Sequence, residues 1–188
     1  PSGIRLPILG RKALATGGPQ HGDVVVFRYP GDPSVDYIKR VVGLPGDVVE
    51  YNDKRLTVNG KPLPQTDDGT YGWLEGLRFE ETRKFRETAD AGGVPKTYTI
   101  AENTMAPAVR VSGVREFPGR DNCEYNERGF KCKVPAGNYF LMGDQRDYSD
   151  DRRYWAFVPA SPLPRRALLL WFTWGRASNA RGTPAPPT

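Results

Sequence analysis

Lys39 lies in the run Val35-Asp36-Tyr37-Ile38-Lys39-Arg40-Val41-Val42-Gly43, where two adjacent cations sit in a mostly apolar strand pattern. Period-two alternation puts Tyr37, Lys39 and Val41 on one face of that strand and Ile38, Arg40 and Val42 on the other. If both faces pack, one of the cations is drawn out of water. A desolvated lysine favours its neutral form, and burial can pull a lysine pKa down by several units. A neutral amine at working pH is a general base. The competing reading is a sheet open on one face, from which Lys39 reaches water along its own aliphatic stem.

A second concentration of chemistry runs from Met142 to Trp155 through Gly143-Asp144-Gln145-Arg146-Asp147-Tyr148-Ser149-Asp150-Asp151-Arg152-Arg153-Tyr154. Its signs are mixed, so it is not an acidic tail. It lacks the glycine and terminal glutamate of a calcium loop. Asp144 with Arg146, and Asp151 with Arg153, could form bidentate pairs that brace a loop. Either that is all the segment does, or the braced loop presents Ser149 to a site.

Metal chemistry has little to work with. Zinc sites take four Cys or His ligands, or three protein ligands when catalytic, and this chain has two cysteines and one histidine. No metal and no cofactor is expected. His21 adjoins the turn Gly22-Asp23 and reads as an ordinary surface histidine. Cys123 and Cys132 flank a turn at Asn126 to Gly129, so a hairpin could bring them together in a disulfide. That pairing implies an oxidising compartment, and the alternative is two reduced thiols in a cytosolic protein.

The elements that must position these residues are strands. Asp23 to Tyr29, Val35 to Gly43, Asp47 to Tyr51 and Arg55 to Val58 are rich in Val, Ile and Tyr or bounded by turn residues. Gly46-Asp47 and Asn59-Gly60 are turn dipeptides. Lys61 to Asn122 is polar and charged, with only short strand candidates such as Thr97 to Ile100; it reads as an insertion with little core of its own. Strands resume at Gly137 to Met142, Tyr154 to Val158 and Ala167 to Trp174, and a disordered tail is expected after Gly175. The chain of 188 residues holds 21 glycines and 18 prolines. That surplus of turn residues, about a fifth of the chain, points to a mainly β fold. A net charge of +5 suits an anionic partner, yet no basic run marks a nucleic-acid binder. The longest apolar stretch, Ala167 to Phe172, is far short of the ~20 residues that cross a bilayer.

Three stretches together resemble bacterial type I signal peptidases (leader peptidases). Tyr37-Ile38-Lys39-Arg40-Val41-Val42-Gly43-Leu44-Pro45-Gly46-Asp47 is similar to that family's lysine-bearing box. Met142 to Pro159 resembles its C-terminal box. Gly22-Asp23-Val24-Val25-Val26-Phe27, followed by Tyr29-Pro30, matches a third box in the right order. The resemblance implies a membrane-anchored serine endopeptidase that removes signal peptides after Ala-X-Ala with a Ser/Lys dyad. Lys39 would be the general base and Ser149 the residue that orients its amine. Asp151 and Arg153 would brace the loop behind, with Gly143, Asp144 and Arg146 in the same structural loop. Tyr37 would border the pocket for the residue before the scissile bond, and Val26, Asp36 and Ile38 the pocket two residues upstream. Small pockets of this kind favour alanine because a larger side chain would overpack.

The departures matter as well. The family's nucleophile follows a Pro-Ser-Gly start in a Ser-Met-X-Pro box. Here Pro1-Ser2-Gly3 runs straight into Ile4-Arg5-Leu6-Pro7. Ser2 matches a side-chain oxyanion donor, and the nucleophilic serine is expected to be absent from the chain. Gln145 and Tyr148 stand where Asn is usual, Arg152 where Ser is usual, and Ala156 where Gly is usual. The expected organisation is a catalytic core in residues 1–60 and 134–175. A variable second domain at 61–133, carrying the cysteine hairpin, is inserted between them, and 176–188 form the tail. Expected partners are signal peptides and an anionic phospholipid surface, with no nucleic acid and a monomeric chain. The expected location is the periplasmic side of a bacterial inner membrane, with this portion soluble apart from its anchors. The alternative is an inactive homologue that binds signal peptides or the membrane surface as a module.

Overall fold

The computed structural model describes residues 18–29, 32–75, 78–109, 117–146 and 157–160. Among these, twelve strands form three antiparallel sheets. The first holds β1 (Val24–Tyr29), β2 (Asp32–Gly43), β11 (Asn138–Met142) and β12 (Phe157–Pro159), in the order β1-β2-β11-β12. The second runs β5-β4-β3-β10-β9 and is built from β3 (Val48–Asn52), β4 (Arg55–Val58), β5 (Lys61–Pro62), β9 (Cys123–Asn126) and β10 (Gly129–Lys133). The third is a meander of β6 (Gln65–Glu75), β7 (Arg78–Asp90) and β8 (Pro95–Glu102).

Two apolar clusters hold the first two sheets, and β2 contributes to both. Val42 enters a cluster with Val49, Tyr51, Leu56, Cys132, Val134 and Phe140. Val41, on the opposite face, joins Val25, Tyr139, Leu141 and Val158. Both faces of β2 are therefore packed at this end, with Val41 fully buried. Nearer the middle of the strand, Ile38 is 48% exposed. Gly43 ends the strand where a Cβ would stand only 2.6 Å from Val49 Cγ2. A side chain there would wedge the two sheets apart.

The third sheet differs from expectation. Residues 65–102 form strands of eleven, thirteen and eight residues, where only short pieces were anticipated. From residue 81 onward the buried positions of β7 are Thr82, Glu87 and Ala89, so over these described side chains the hydrophobic alternation that announces a strand is absent. The cysteine hairpin pairs with β3 through β10, in the five-stranded sheet. Cys123 and Cys132 are direct cross-strand partners, 4.1 Å apart at Cα, and are joined by a disulfide. His21, read from sequence as a surface residue, is half-buried, with Nε2 2.7 Å from the Asp47 carboxylate.

Candidate active site

Antiparallel pairing of β1 with β2 sets Val25 opposite Lys39, Val26 opposite Ile38 and Val24 opposite Arg40. On the other side of β2, β11 places Met142 opposite Arg40, so the turn that follows, residues 143–146, lies beside Lys39 and Arg40. A cleft of about 280 Å³ opens there, lined by Val24, Ile38, Lys39, Arg40, Gly143, Asp144 and Gln145. Lys39 is half-buried. A Cβ placed on Gly143 would come within 3.2 Å of the Lys39 Nζ. The amine is thus seated against the backbone of the turn, in space that a glycine leaves open.

Arg40 is held by several partners at once. It donates from Nε and a terminal nitrogen to the two carboxylate oxygens of Asp144, at 2.7 and 2.6 Å, and from its other terminal nitrogen to the Gly22 carbonyl. Its guanidinium also stacks on the ring of Tyr98, 3.9 Å from the centroid. This fork matches a carboxylate in a way that a lysine could not.

The Asp144–Arg146 pair expected from sequence is not the one formed. Asp144 pairs with Arg40, and Arg146 turns inward to Glu87 of β7, with contacts at 2.5 and 3.4 Å. The side chains of Arg146 and Glu87 are 1% and 0% exposed, whereas that of Asp144 is 41% exposed. A buried guanidinium requires a partner that is buried with it, and Asp144 does not meet that need. Burial works against the charge on Arg146, but the Glu87 carboxylate outweighs it and holds the guanidinium firmly protonated. Glu87 also accepts from Tyr98 Oη at 2.8 Å and Gln65 Nε2 at 2.9 Å. Burial first, and then the Glu87 charge, push the Tyr98 hydroxyl pKa well above its ordinary range.

Of the residues singled out from sequence, the structure brings Lys39, Ile38, Gly143 and Asp144 together around one cleft. Val26 is the cross-strand neighbour of Ile38. Tyr37 packs against the Val25–Val41 cluster, on the face of β2 that alternation also gives to Lys39. Asp36 is in register with Arg28 of β1. Ser2, Ser149, Asp151 and Arg153 lie outside the described residues. Sequence reasoning missed Glu87 and Tyr98. The first is hidden in a charged stretch, and the second sat in a strand candidate with no stated role. Among the described residues no group of three or more His, Cys, Asp or Glu could hold a metal ion. No helix among them is long and apolar enough to cross a membrane.

The family model described as "Signal peptidase, peptidase S26" matches residues 6–172. The chain belongs to the signal peptidase S26 family. Signal peptidase I of Pseudomonas fluorescens is 39% identical over 184 residues, covering 92% of this chain and 56% of that protein. Signal peptidase I of Aquifex aeolicus is 35% identical over 180 residues, covering 88% of this chain and 68% of that protein. The chain thus spans little more than half the length of the Pseudomonas relative. A crystal structure of a signal peptidase I from Enterococcus faecalis aligns at 24% identity and a TM-score of 0.38, covering 78% of this chain and 94% of that one. The mainly β architecture expected from the sequence is the one observed. The stretch Tyr37 to Asp47, which resembles a lysine-bearing box, runs along β2 into the following turn, and the stretch that begins at Met142 continues into the 143–146 turn.

Proposed function

We propose that this chain is the catalytic portion of a signal peptidase I, a serine endopeptidase that cleaves signal peptides from exported preproteins after Ala-X-Ala. Lys39 acts as the general base. The observation that carries this reading is the seat of its amine against Gly143 at the wall of the cleft. A half-buried amine fixed in direction can take the proton of an attacking serine, a residue not expected within these 188 residues, and return it to the leaving amine. Family membership supports Ser149 as the residue that orients this amine, Asp151 and Arg153 as its brace, and Ser2 as an oxyanion donor. Ile38 and Val26 offer apolar surface to a small side chain of the substrate, and Tyr37 and Asp36 keep the pocket roles that the resemblance gives them. Signal peptides are the substrates. The working position is the periplasmic face of a bacterial inner membrane, where anionic phospholipid is the neighbouring surface.

The test is cleavage of a preprotein by the full natural protein and its Lys39→Ala variant, with folding followed by circular dichroism. Loss of cleavage in a folded Lys39→Ala protein is the expected result. Undiminished cleavage in that variant overturns the dyad. Binding of a signal peptide by the natural protein without any cleavage replaces the enzyme with a binding module.

A further inference from the structure

The 143–146 turn that seats Lys39 is held by the third sheet as well as by its own. Gln145 forms a parallel bridge with Ala101 of β8, in which Ala101 N donates to Asp144 O at 2.9 Å and Arg146 N donates to Ala101 O at 2.8 Å. Arg146 reaches from the turn to Glu87 of β7 and donates from Nε to Gly143 O at 3.2 Å. Gly143 is the residue against which the Lys39 amine rests. A continuous path therefore runs from Glu87 through Arg146 and Gly143 to Lys39. Tyr98 joins a second path to the first. Its hydroxyl donates to Glu87, while its ring lies under Arg40, which grips Asp144. Both ends of the turn thus depend on two residues of the third sheet.

We propose that Glu87 and Tyr98 are positioning residues for the Lys39 amine, acting through Arg146 and Arg40 on the 143–146 turn. The proposal rests on the reading of Lys39 as the base and extends it to the third sheet. Stability alone does not require this arrangement. A buried ion pair is weak evidence for stability, because a well-packed apolar replacement is often as stable. A fully satisfied buried network does fix the direction of what it holds. Glu87 accepts from Arg146, Tyr98 and Gln65, so its carboxylate has little freedom to turn. An amine displaced by a fraction of an ångström loses the near-attack geometry on which transfer depends.

The experiment measures preprotein cleavage by the full natural protein carrying Tyr98→Phe or Glu87→Gln, with Lys39→Ala as reference. Val58→Ala, which loosens the other sheet, is the control for general destabilisation. Tyr98→Phe keeps the ring and deletes one hydroxyl, so it folds even if Glu87→Gln does not. The expected result is a fall in kcat of about three- to thirtyfold with KM unchanged. The acid limb of the pH–rate profile moves to higher pH, because water reaching a loosened amine favours its protonated form. Val58→Ala is expected to keep both kcat and profile. An unchanged kcat and profile in Tyr98→Phe, beside an inactive Lys39→Ala, overturns this proposal alone. Equal kinetic losses in Val58→Ala overturn it too, by showing a structural effect. Cleavage by Lys39→Ala overturns the base assignment and this proposal with it.

Discussion

The Lys39 amine and the Cα of Gly143 are packed so closely that a Cβ on residue 143 would stand 3.2 Å from Nζ. The obstacle is the end of a flexible side chain, so folding should tolerate a methyl group there. Catalysis should not. The amine has to give way by a few tenths of an ångström, and misplacement of about an ångström costs ~10²-fold in rate. Gly143→Ala is therefore expected to lower kcat by about tenfold while the melting temperature stays near that of the parent. Parent-like kcat in Gly143→Ala would remove the amine from the reaction path.

Arg40 makes a comparable demand on side-chain shape. Its fork serves both Asp144 oxygens and the Gly22 carbonyl, and its plane lies on Tyr98. Lysine keeps the charge and loses the fork and the stacking plane. Because Asp144 is partly open to solvent, screening reduces the charge contribution, and Arg40→Lys is expected to destabilise by about 1–2 kcal/mol. Urea unfolding measures this, and an unshifted midpoint would mean that the pairing contributes nothing net.

Much of the framework around Lys39 was legible because β1, β2, β3 and β4 alternate or run apolar between turn residues. Asn59 and Gly60, flagged as a turn dipeptide, take the positive φ values that a tight hairpin needs. The third sheet was not legible, since β7 buries Thr82 and Glu87 where the pattern seeks Val or Ile. Long-range ion pairs were equally hidden. Asp144 and Arg146 are neighbours in sequence and look like natural partners, but their true partners are 104 and 59 residues away. Spacing reveals what can meet within one turn, whereas burial decides which charges must be matched. Burial depends on how the sheets pack, and no local pattern carries that information.

The cysteine pair offers a stability test separate from the site. Cys123 and Cys132 are buried in the larger apolar cluster and close a loop with a sequence separation of nine. Cross-linking so short a loop restricts the unfolded chain by about 2–3 kcal/mol. Cys123→Ala with Cys132→Ala is expected to lose that amount, plus a contribution from the vacated core volume. Reduction of the parent should add about 2 Da as the bond between sulfurs takes up two hydrogens. A parent whose mass does not change on reduction has free thiols and no oxidative stabilisation.

Asp47 gives the pH dependence a specific origin. Its carboxylate accepts from Asn59 Nδ2, the Leu44 amide and His21 Nε2, which ties the turn after β2 to the turn after β4 and to the residues before β1. Burial alone would raise its pKa, but these hydrogen bonds and the His21 charge outweigh it and hold the carboxyl below its ordinary value of 3.8. A carboxyl whose folded pKa is depressed binds its proton more readily in the unfolded chain. Its contribution to stability is therefore fully present above the ordinary value and is lost as pH falls through the lower folded value. The parent should lose stability as pH falls below the ordinary value of 3.8, partly through this group. Asp47→Asn should be less stable at neutral pH and show a flatter decline over the same window. Unfolding free energies from urea titrations at several pH values provide the comparison. Parallel curves for parent and variant would place the acid sensitivity in other carboxylates.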